Sequence, residues 1–170
     1  MNLLRAAETT KTIFDVDYER LRSEGKGVLL FDLDNTLGRR GLEHLPENTI
    51  GFLLFLTERG FKVGILTNRK RNTGVPALCM LRKHVPVVHA AGKPARRGFL
   101  ELLSLLEGSP ADAVMIGDRR LTDILGANRL GIHSIRVLSR NKGRRNFSAQ
   151  SDSLEREEAY PKRTLGSNDA

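Results

Sequence analysis

Short apolar runs alternate with segments of helical periodicity along most of the chain. The run VLLF, which begins at Val28, is apolar at every position, as is typical of a strand covered on both faces of a parallel sheet. Pro46 is well suited to the first turn of a helix, and Ile50, Leu53 and Leu54 then recur at helical spacing. This part of the chain therefore predicts a buried strand followed by a crossover helix.

The same alternation continues to Leu138. Further strands are predicted over residues 61–68, 86–90, 112–118 and 132–138, and further helices over residues 17–24, 76–82, 94–106 and 121–128. Strands and helices that alternate at this spacing predict an α/β fold with a parallel sheet and right-handed crossovers. We expect a single three-layer, Rossmann-like domain whose five strands lie in the order 5-4-1-2-3.

The apolar periodicity fades after Leu138, where the chain becomes polar and basic. We therefore expect one domain over residues 1–147, with its chemistry confined to residues 28–137. Residues 148–170 lack core positions and are expected to form a disordered tail. The basic segment 140–147 precedes that tail, and its role is open.

Length and cysteine usage narrow the class of protein. A chain of 170 residues is long enough for one domain with a sizeable core. Cys79 is the only cysteine, which excludes an internal disulfide and a cysteine-rich zinc site. No stretch resembles a signal peptide or a bilayer-spanning segment. We expect a cytoplasmic protein, with any membrane contact peripheral.

The charge of the chain points to an anionic partner. The formal net charge is +8 and the isoelectric point is near 10.1. From Arg59 to Leu100 there are ten Lys or Arg residues and no Asp or Glu. A field of one sign attracts polyanions before any specific contact forms.

Polar residues with catalytic potential follow the predicted strands. In chain order they are Asp32, Asp34, Thr67, Asn68, Lys93, Asp118 and Asp123. Because ligands of open α/β sheets bind at the carboxyl ends of the strands, we expect these side chains to meet at one edge.

The pair of carboxylates suits phosphoryl transfer. Side chains two residues apart at a strand end project to the same face, so Asp32 and Asp34 can act together. One can attack phosphorus while the other transfers a proton. Asp118 would complete an all-oxygen site of the kind that Mg²⁺ prefers, and Lys93 with Mg²⁺ would neutralise the phosphate.

Two non-hydrolytic classes remain open on the residues alone. A phosphoacceptor signalling domain also uses Asp, Thr and Lys on such a sheet, but it would have no need of Asp34. A noncatalytic RNA-binding adaptor would keep the basic surface without needing Asp118. The presence of both carboxylates favours a hydrolase.

Four segments of the chain resemble a known family. FDLDNTL, ILTN, AGKP and IGDRRLTD are similar, in order and context, to the motifs of the haloacid dehalogenase superfamily of aspartate-nucleophile phosphatases. The resemblance covers residues 28–137 and is closest to the class IIIA, YqeG-like branch. That branch is similar to phosphatidylglycerophosphate phosphatases. The segment GRRGLEHLP after the first motif departs from the apolar continuation expected of the branch.

The resemblance implies a role for each motif residue. Asp32 would be the nucleophile and Asp34 the general acid and base. Thr67, Asn68 and Lys93 would bind the substrate phosphate. Asn35 and Asn68 would also support hydrogen bonds of the loop.

The resemblance to this family also implies a cofactor. Mg²⁺ would be held by Asp32, Asp118 and the backbone carbonyl of Asp34, and Asp123 would orient the site without binding the metal directly.

The spacing of the motifs leaves no room for a cap domain. Only 29 residues separate Leu37 from Thr67, and 24 separate Asn68 from Lys93, and a crossover helix with its strand uses each gap. An open site favours a phosphate carried on something large. A basic cluster also follows each motif, and we define as the basic rim Arg39, Arg40, Arg69, Arg96, Arg97 and Arg119.

The basic rim sets the expected substrate. Cationic side chains near a surface contribute about 1 kcal/mol each to attraction by an anionic membrane. The prediction is therefore a phosphatase of phosphatidylglycerophosphate, acting at such a membrane. Nucleic-acid ends are the alternative substrate, because phosphate contacts also give affinity without regard to sequence.

Overall fold

A parallel sheet forms the centre of the protein in a computed structural model, which describes residues 2–40, 45–70 and 84–138. Within these ranges the sheet has six strands, all parallel, in the order β1-β6-β5-β2-β3-β4. The strands are β1 (Glu8–Thr10), β2 (Val28–Phe31), β3 (Lys62–Leu66), β4 (Val87–Val88), β5 (Ala113–Gly117) and β6 (His133–Val137).

The strand order confirms the predicted topology, whereas the predicted number of strands was wrong. β2 to β6 lie in the order 5-4-1-2-3 when they are counted along the chain. The additional strand is β1, which pairs in parallel with β6 through Glu8 and Ile135. It has three residues and no apolar run, so it carries no periodic signal and forms only because the edge of β6 accepts it.

Helices cover both faces of the sheet. They are α1 (Tyr18–Ser23), α2 (Glu47–Glu58), α3 (Arg96–Leu105) and α4 (Leu125–Arg129). The helix predicted over residues 121–128 begins instead as a π-helical turn, Arg120–Ile124, that leads into α4. The helix predicted over residues 76–82 lies outside the described residues.

The core lies in two layers, one on each side of the sheet. Leu29 and Phe31 point to the side of α2, where they pack in one cluster with Leu53. Leu30 points to the other side and packs with Phe99 and Leu102 of α3. Side chains of a strand alternate between faces, so a strand buried on both faces is apolar at every position. The predicted three-layer α/β architecture is confirmed.

The described part of the chain contains no cap domain. Between β2 and β3 its regular structure consists of α2, as expected from the short spacing of the motifs. In the ranges that the structure describes, no helix is long and apolar enough to cross a membrane. By its internal contacts the chain divides into Met1–Arg140 and Asn141–Ala170. The predicted tail over residues 148–170 and the basic segment before it lie outside the described residues.

Candidate active site

The site is built at the carboxyl ends of the three central strands. Asp32 follows β2, Thr67 follows β3 and Asp118 follows β5. All three are buried, with exposed fractions of 6%, 1% and 9%. Buried polar side chains are uncommon unless they have partners, so their concentration at one edge marks a functional site.

Lys93 is the cation at the centre of the site. Its ammonium group lies 2.5 Å from Asp32 Oδ1 and 2.7 Å from Asp123 Oδ1. The side chain of Lys93 is only 2% exposed, and those of Asp32 and Asp123 are 8% and 1% exposed. A lysine at this depth is stable only when carboxylates surround it.

Asn68 positions Lys93 through the backbone. The side-chain amide of Asn68 donates to the carbonyl of Lys93 at 3.1 Å and accepts from its N–H at 2.8 Å. The amide therefore joins the loop after β3 to the loop before α3. This is the loop-supporting role expected for Asn68, whereas its predicted contact with substrate phosphate stays a prediction.

Three carboxylates converge beside Lys93. Oxygen atoms of Asp32, Asp118 and Asp123 all lie within 4.8 Å of one another. Oδ1 of Asp118 is buried and has no hydrogen-bond partner in the described part of the chain. Its other oxygen, Oδ2, lies 3.5 Å from the amide nitrogen of Asn35. An all-oxygen cluster with an unpartnered buried oxygen has the chemistry of a site for a hard divalent cation.

Burial and charge shift the pKa values of these groups. Burial raises the pKa of Asp32 to about 7, although the ammonium of Lys93 opposes the shift and Asp123 reinforces it. Burial, with the charge of Asp123, also raises the pKa of Asp118. For Lys93 burial acts against the charged form, but Asp32 and Asp123 outweigh it and raise the pKa. Carboxylates are thus crowded to the point where ionising all of them is costly.

Asp123 is fixed in place by its own helix turn. It is fully buried, and its Oδ2 accepts the backbone N–H of Arg119 at 3.0 Å. A Cβ atom at Gly117 would lie 2.6 Å from Asp123, so only glycine leaves room for this carboxylate at the end of β5. Asp123 also lies 2.7 Å from the ammonium group of Lys93, and its predicted role in orienting the site stays a prediction.

Asp34 is held by a different cation. Arg69 donates from Nε to Asp34 Oδ2 at 2.9 Å and from Nη2 to Asp34 Oδ1 at 2.5 Å. The two side chains are 21% and 17% exposed, so this pair is only partly buried. The side chain of Asp34 is not one of the three acidic groups that converge near Lys93. Sequence reasoning placed Arg69 on the basic rim and missed its contact with a predicted catalytic residue.

The loop after β2 adds Thr36, which sequence reasoning missed, and Asn35, which it expected to support hydrogen bonds of the loop. Thr36 donates to Asp32 Oδ2 at 3.4 Å. Asn35 adopts φ = 62°, a left-handed conformation that asparagine tolerates better than most residues, and its side chain accepts the N–H of Arg40 at 3.2 Å. The signal was the two polar residues, Asn35 and Thr36, that follow the second carboxylate of the pair. Thr67, for its part, accepts the N–H of Arg69 at 3.1 Å through its hydroxyl oxygen.

The rest of the basic rim is exposed around the same edge. Its five other members are solvent-exposed at the loops or helix starts that follow the strands: Arg39, Arg40, Arg96, Arg97 and Arg119. Arg69 differs from them because its guanidinium is committed to Asp34 inside the site.

Comparison with known proteins identifies relatives with hydrolase chemistry. Residues 90–161 match the model of a family described as HAD-hydrolase-like. The chain is 33% identical, over 131 residues, to the probable phosphatase YqeG of Bacillus subtilis, which covers 77% of this chain and 75% of that protein. It is 34% identical, over 103 residues, to a glyceraldehyde 3-phosphate phosphatase of Methanopyrus kandleri, but this covers only 44% of that protein.

Solved structures share the fold. An uncharacterized protein from Listeria monocytogenes superposes with a TM-score of 0.56 at 22% identity, covering 71% of this chain and 85% of that one. A haloacid dehalogenase-like hydrolase from Bacteroides fragilis superposes with a TM-score of 0.53 at 19% identity, covering 72% and 92% of the two chains. At this level of identity the likeness concerns the fold alone.

Proposed function

The chain belongs to the haloacid dehalogenase-like hydrolases and is a phosphatase of that family, and from this premise we propose how it works and on what. We infer a Mg²⁺-dependent phosphomonoesterase that forms an aspartyl-phosphate on Asp32. The observation that carries the proposal is the buried Asp32–Lys93 pair, with Asp118 beside it.

The environment of Asp32 supports its role as nucleophile. A carboxylate attacks a phosphate dianion only where positive charge offsets the repulsion between them. Lys93 supplies such a charge 2.5 Å from Oδ1, while the hydroxyl of Thr36 donates to Oδ2 at 3.4 Å. Buried contacts of this kind restrict the rotation of the carboxylate, and a nucleophile held in one orientation reacts faster.

The acidic cluster supports a divalent cation. Three carboxylates face a single ammonium group, and Oδ1 of Asp118 has no hydrogen-bond partner among the described residues. Asp32 and Asp118 would hold Mg²⁺, and the resemblance adds the backbone carbonyl of Asp34. When bound, the ion supplies charge that offsets the phosphate and the carboxylates together.

In the first half of the reaction an oxygen of Asp32 forms a bond to phosphorus. The bond from phosphorus to the leaving alcohol oxygen breaks, and that oxygen takes the electron pair and a proton from the carboxyl group of Asp34. Thr67 and Lys93 bind the nonbridging oxygens of the transferring group. The products of this half are the free alcohol and an aspartyl-phosphate.

In the second half a water molecule attacks the phosphorus of the aspartyl-phosphate. Asp34, now a carboxylate, accepts the proton of that water. The bond between phosphorus and the oxygen of Asp32 breaks, which releases inorganic phosphate and restores the carboxylate of Asp32. Asp34 thus transfers a proton in each half of the reaction, in opposite directions.

We propose phosphatidylglycerophosphate as the substrate, presented at an anionic membrane by a protein that is cytoplasmic and peripheral. Support comes from the exposed arginines of the basic rim at the same edge as the site, together with the short motif spacing. Nucleic-acid ends are the second candidate, because the same arginines would bind phosphate backbones. The Methanopyrus relative is named for a small sugar phosphate, but this chain spans less than half of it.

The mechanism is tested by phosphate release from phosphatidylglycerophosphate in micelles, with Mg²⁺ or with EDTA. We expect turnover with Mg²⁺ only, and a loss of at least about 1,000-fold in Asp32→Asn with the fold intact. The matched control is Asp17→Asn, because Asp17 caps α1, is not one of the site residues, and can be replaced by asparagine, which caps equally well. Release of phosphate by Asp32→Asn at the native rate would show the mechanism to be wrong.

The substrate is tested by competition. The panel holds phosphatidylglycerophosphate in micelles, 3′- and 5′-phosphorylated oligonucleotides, and glyceraldehyde 3-phosphate. We expect the highest kcat/KM for the lipid. A preference of orders of magnitude for the small sugar phosphate would contradict the argument for a large substrate.

A further inference from the structure

Arg69 stands apart from every other arginine of the basic rim. Its guanidinium makes a two-point ion pair with Asp34, whereas the other rim arginines are exposed. Its backbone is held from both sides, since its N–H donates to Thr67 and its carbonyl accepts the N–H of Ala90 at 2.8 Å. This arginine is therefore built into the site.

The ion pair locates Arg69 relative to the reacting atoms. In the proposed function, on which this inference rests, Asp34 transfers a proton to the oxygen of the leaving alcohol. A group that contacts both oxygens of Asp34 lies on the leaving-group side of the site, whereas Lys93 contacts the nucleophile Asp32. Arg69 is thus placed to meet the part of the substrate beyond the ester oxygen.

The same pair must open in each turnover. To donate a proton, Asp34 must be a neutral carboxyl group turned towards the leaving oxygen, and such a group cannot keep the two-point contact that a carboxylate makes with a guanidinium. When Asp34 turns away, the guanidinium of Arg69, only 17% exposed, loses a charged partner that water replaces poorly. A second anion on the substrate would take the place of Asp34.

We propose that Arg69 is a specificity-determining residue that binds a second anionic group on the leaving alcohol, so that the preferred substrates are phosphomonoesters whose alcohol carries another phosphate or phosphodiester. Guanidinium groups bind carboxylate and phosphate through the same two-point geometry, which allows one anion to replace the other. Binding the second anion and releasing Asp34 become a single event. Substrate with the right alcohol thereby frees the proton donor.

The test compares two soluble substrates that differ in one group, glycerol 3-phosphate and glycerol 1,3-bisphosphate. We expect the native protein to prefer the bisphosphate in kcat/KM by roughly 10- to 100-fold, as charge-assisted hydrogen bonds allow. Arg69→Ala should lose that preference, because its rate with the bisphosphate falls towards its rate with the monophosphate. Arg69→Lys should recover only part of it, because an ammonium group cannot make the two-point contact.

The ratio of the two substrates separates this role from a structural one. A variant that merely disturbed Asp34 would slow both substrates equally and leave the ratio unchanged. Arg129→Ala is the matched control, since Arg129 is exposed on α4 and is not part of the rim. An unchanged ratio in Arg69→Ala would overturn the inference while the phosphatase function stood. Failure of the native protein to hydrolyse these two substrates and phosphatidylglycerophosphate alike would overturn the proposed function, and the inference with it.

Two further substrates identify the source of the second anion. Phosphatidylglycerophosphate in micelles and a 5′-phosphorylated dinucleotide both carry a phosphodiester on the leaving alcohol. The one that loses more of its kcat/KM in Arg69→Ala, relative to glycerol 3-phosphate, is the one whose phosphodiester Arg69 binds. If Arg69→Ala lowered kcat/KM for neither of these two substrates relative to glycerol 3-phosphate, the inference would be contradicted.

Discussion

Two clusters in this protein share one charge pattern, a cation between two carboxylates. At the site, Lys93 lies 2.5 Å from Asp32 and 2.7 Å from Asp123. At the edge of the sheet, Arg20 lies 2.6 Å from Glu8 and 2.8 Å from Glu24. The distances between cation and carboxylate agree to within a few tenths of an ångström. Any difference between the two clusters must therefore come from their surroundings.

Burial is the difference, and it changes what each cluster does. Side chains around Lys93 are at most 8% exposed, whereas those around Arg20 are between 32% and 46% exposed. Water solvates the charges of the edge cluster in any case, so its ion pairs contribute little to stability. In the site a lost partner leaves a buried charge that water reaches poorly. The buried cluster therefore fixes the positions of groups used in the chemistry, whereas the exposed cluster contributes little to holding β1 in the sheet.

The largest effect is expected from a variant that breaks the buried cluster. Lys93→Met leaves Asp32 and Asp123 buried without their cation, and should lower the free energy of unfolding by about 3–5 kcal/mol. Arg20→Met, the matched change at the edge, should cost much less, because water solvates the charges of that cluster. Denaturant unfolding of both variants in EDTA measures the difference. Equal losses would show that burial does not distinguish the clusters.

A smaller effect follows from the pH dependence of the buried cluster. Burial raises the pKa of Asp32 to about 7 in the folded protein, above its usual value near 4. The folded state therefore binds a proton that the unfolded state releases, and stability falls as pH rises between those two values. Unfolding in EDTA at pH 5, 6 and 7.5 should show this fall, and Asp32→Asn should reduce it. If the stability of the native protein and that of Asp32→Asn changed equally over this pH range, the raised pKa of Asp32 would not be its cause.

Much of the fold follows from the sequence because its strands are continuously apolar. VLLF at β2 and AVMIG at β5 are buried on both faces, and such short apolar runs are typical of strands in a parallel sheet. β1 could not be predicted in this way, because Glu8–Thr10 is short and polar. Its pairing depends on the free edge of β6 and on the approach of Glu8 to His133, which are properties of the assembled sheet.

The active site likewise has features that the sequence predicts and one that it does not. Asp32, Lys93 and Asp118 could be expected at one edge because the topology fixes where strands end. The pairing of Arg69 with Asp34 could not be expected, since it depends on the conformations of two side chains in loops. Sequence therefore predicts which residues gather, whereas only coordinates tell which cation meets which carboxylate.

The smallest expected effect lies in the exposed cluster, and its pH dependence has the opposite sign. Partial burial alone would raise the pKa of Glu8, but hydrogen bonds and charge from Arg20 and His133 outweigh it and lower the pKa. Ionised Glu8 therefore stabilises the fold above its usual pKa, and this contribution is lost as pH falls through the lowered value. Glu8→Gln should cost less than about 1 kcal/mol at pH 7 and nothing once the native carboxylate is protonated.

Unfolding at pH 7 and at pH 3, with Glu19→Gln as the control, measures this loss. Glu19 is 72% exposed and lies 3.3 Å from Arg59, so its charge should matter little at either pH. A cost of Glu8→Gln that persists unchanged at pH 3 would mean that its hydrogen bonds, and not its charge, hold β1 against β6. Because the site cluster gains stability on acidification and the edge cluster loses it, burial determines even the direction in which the same arrangement of charges responds to protons.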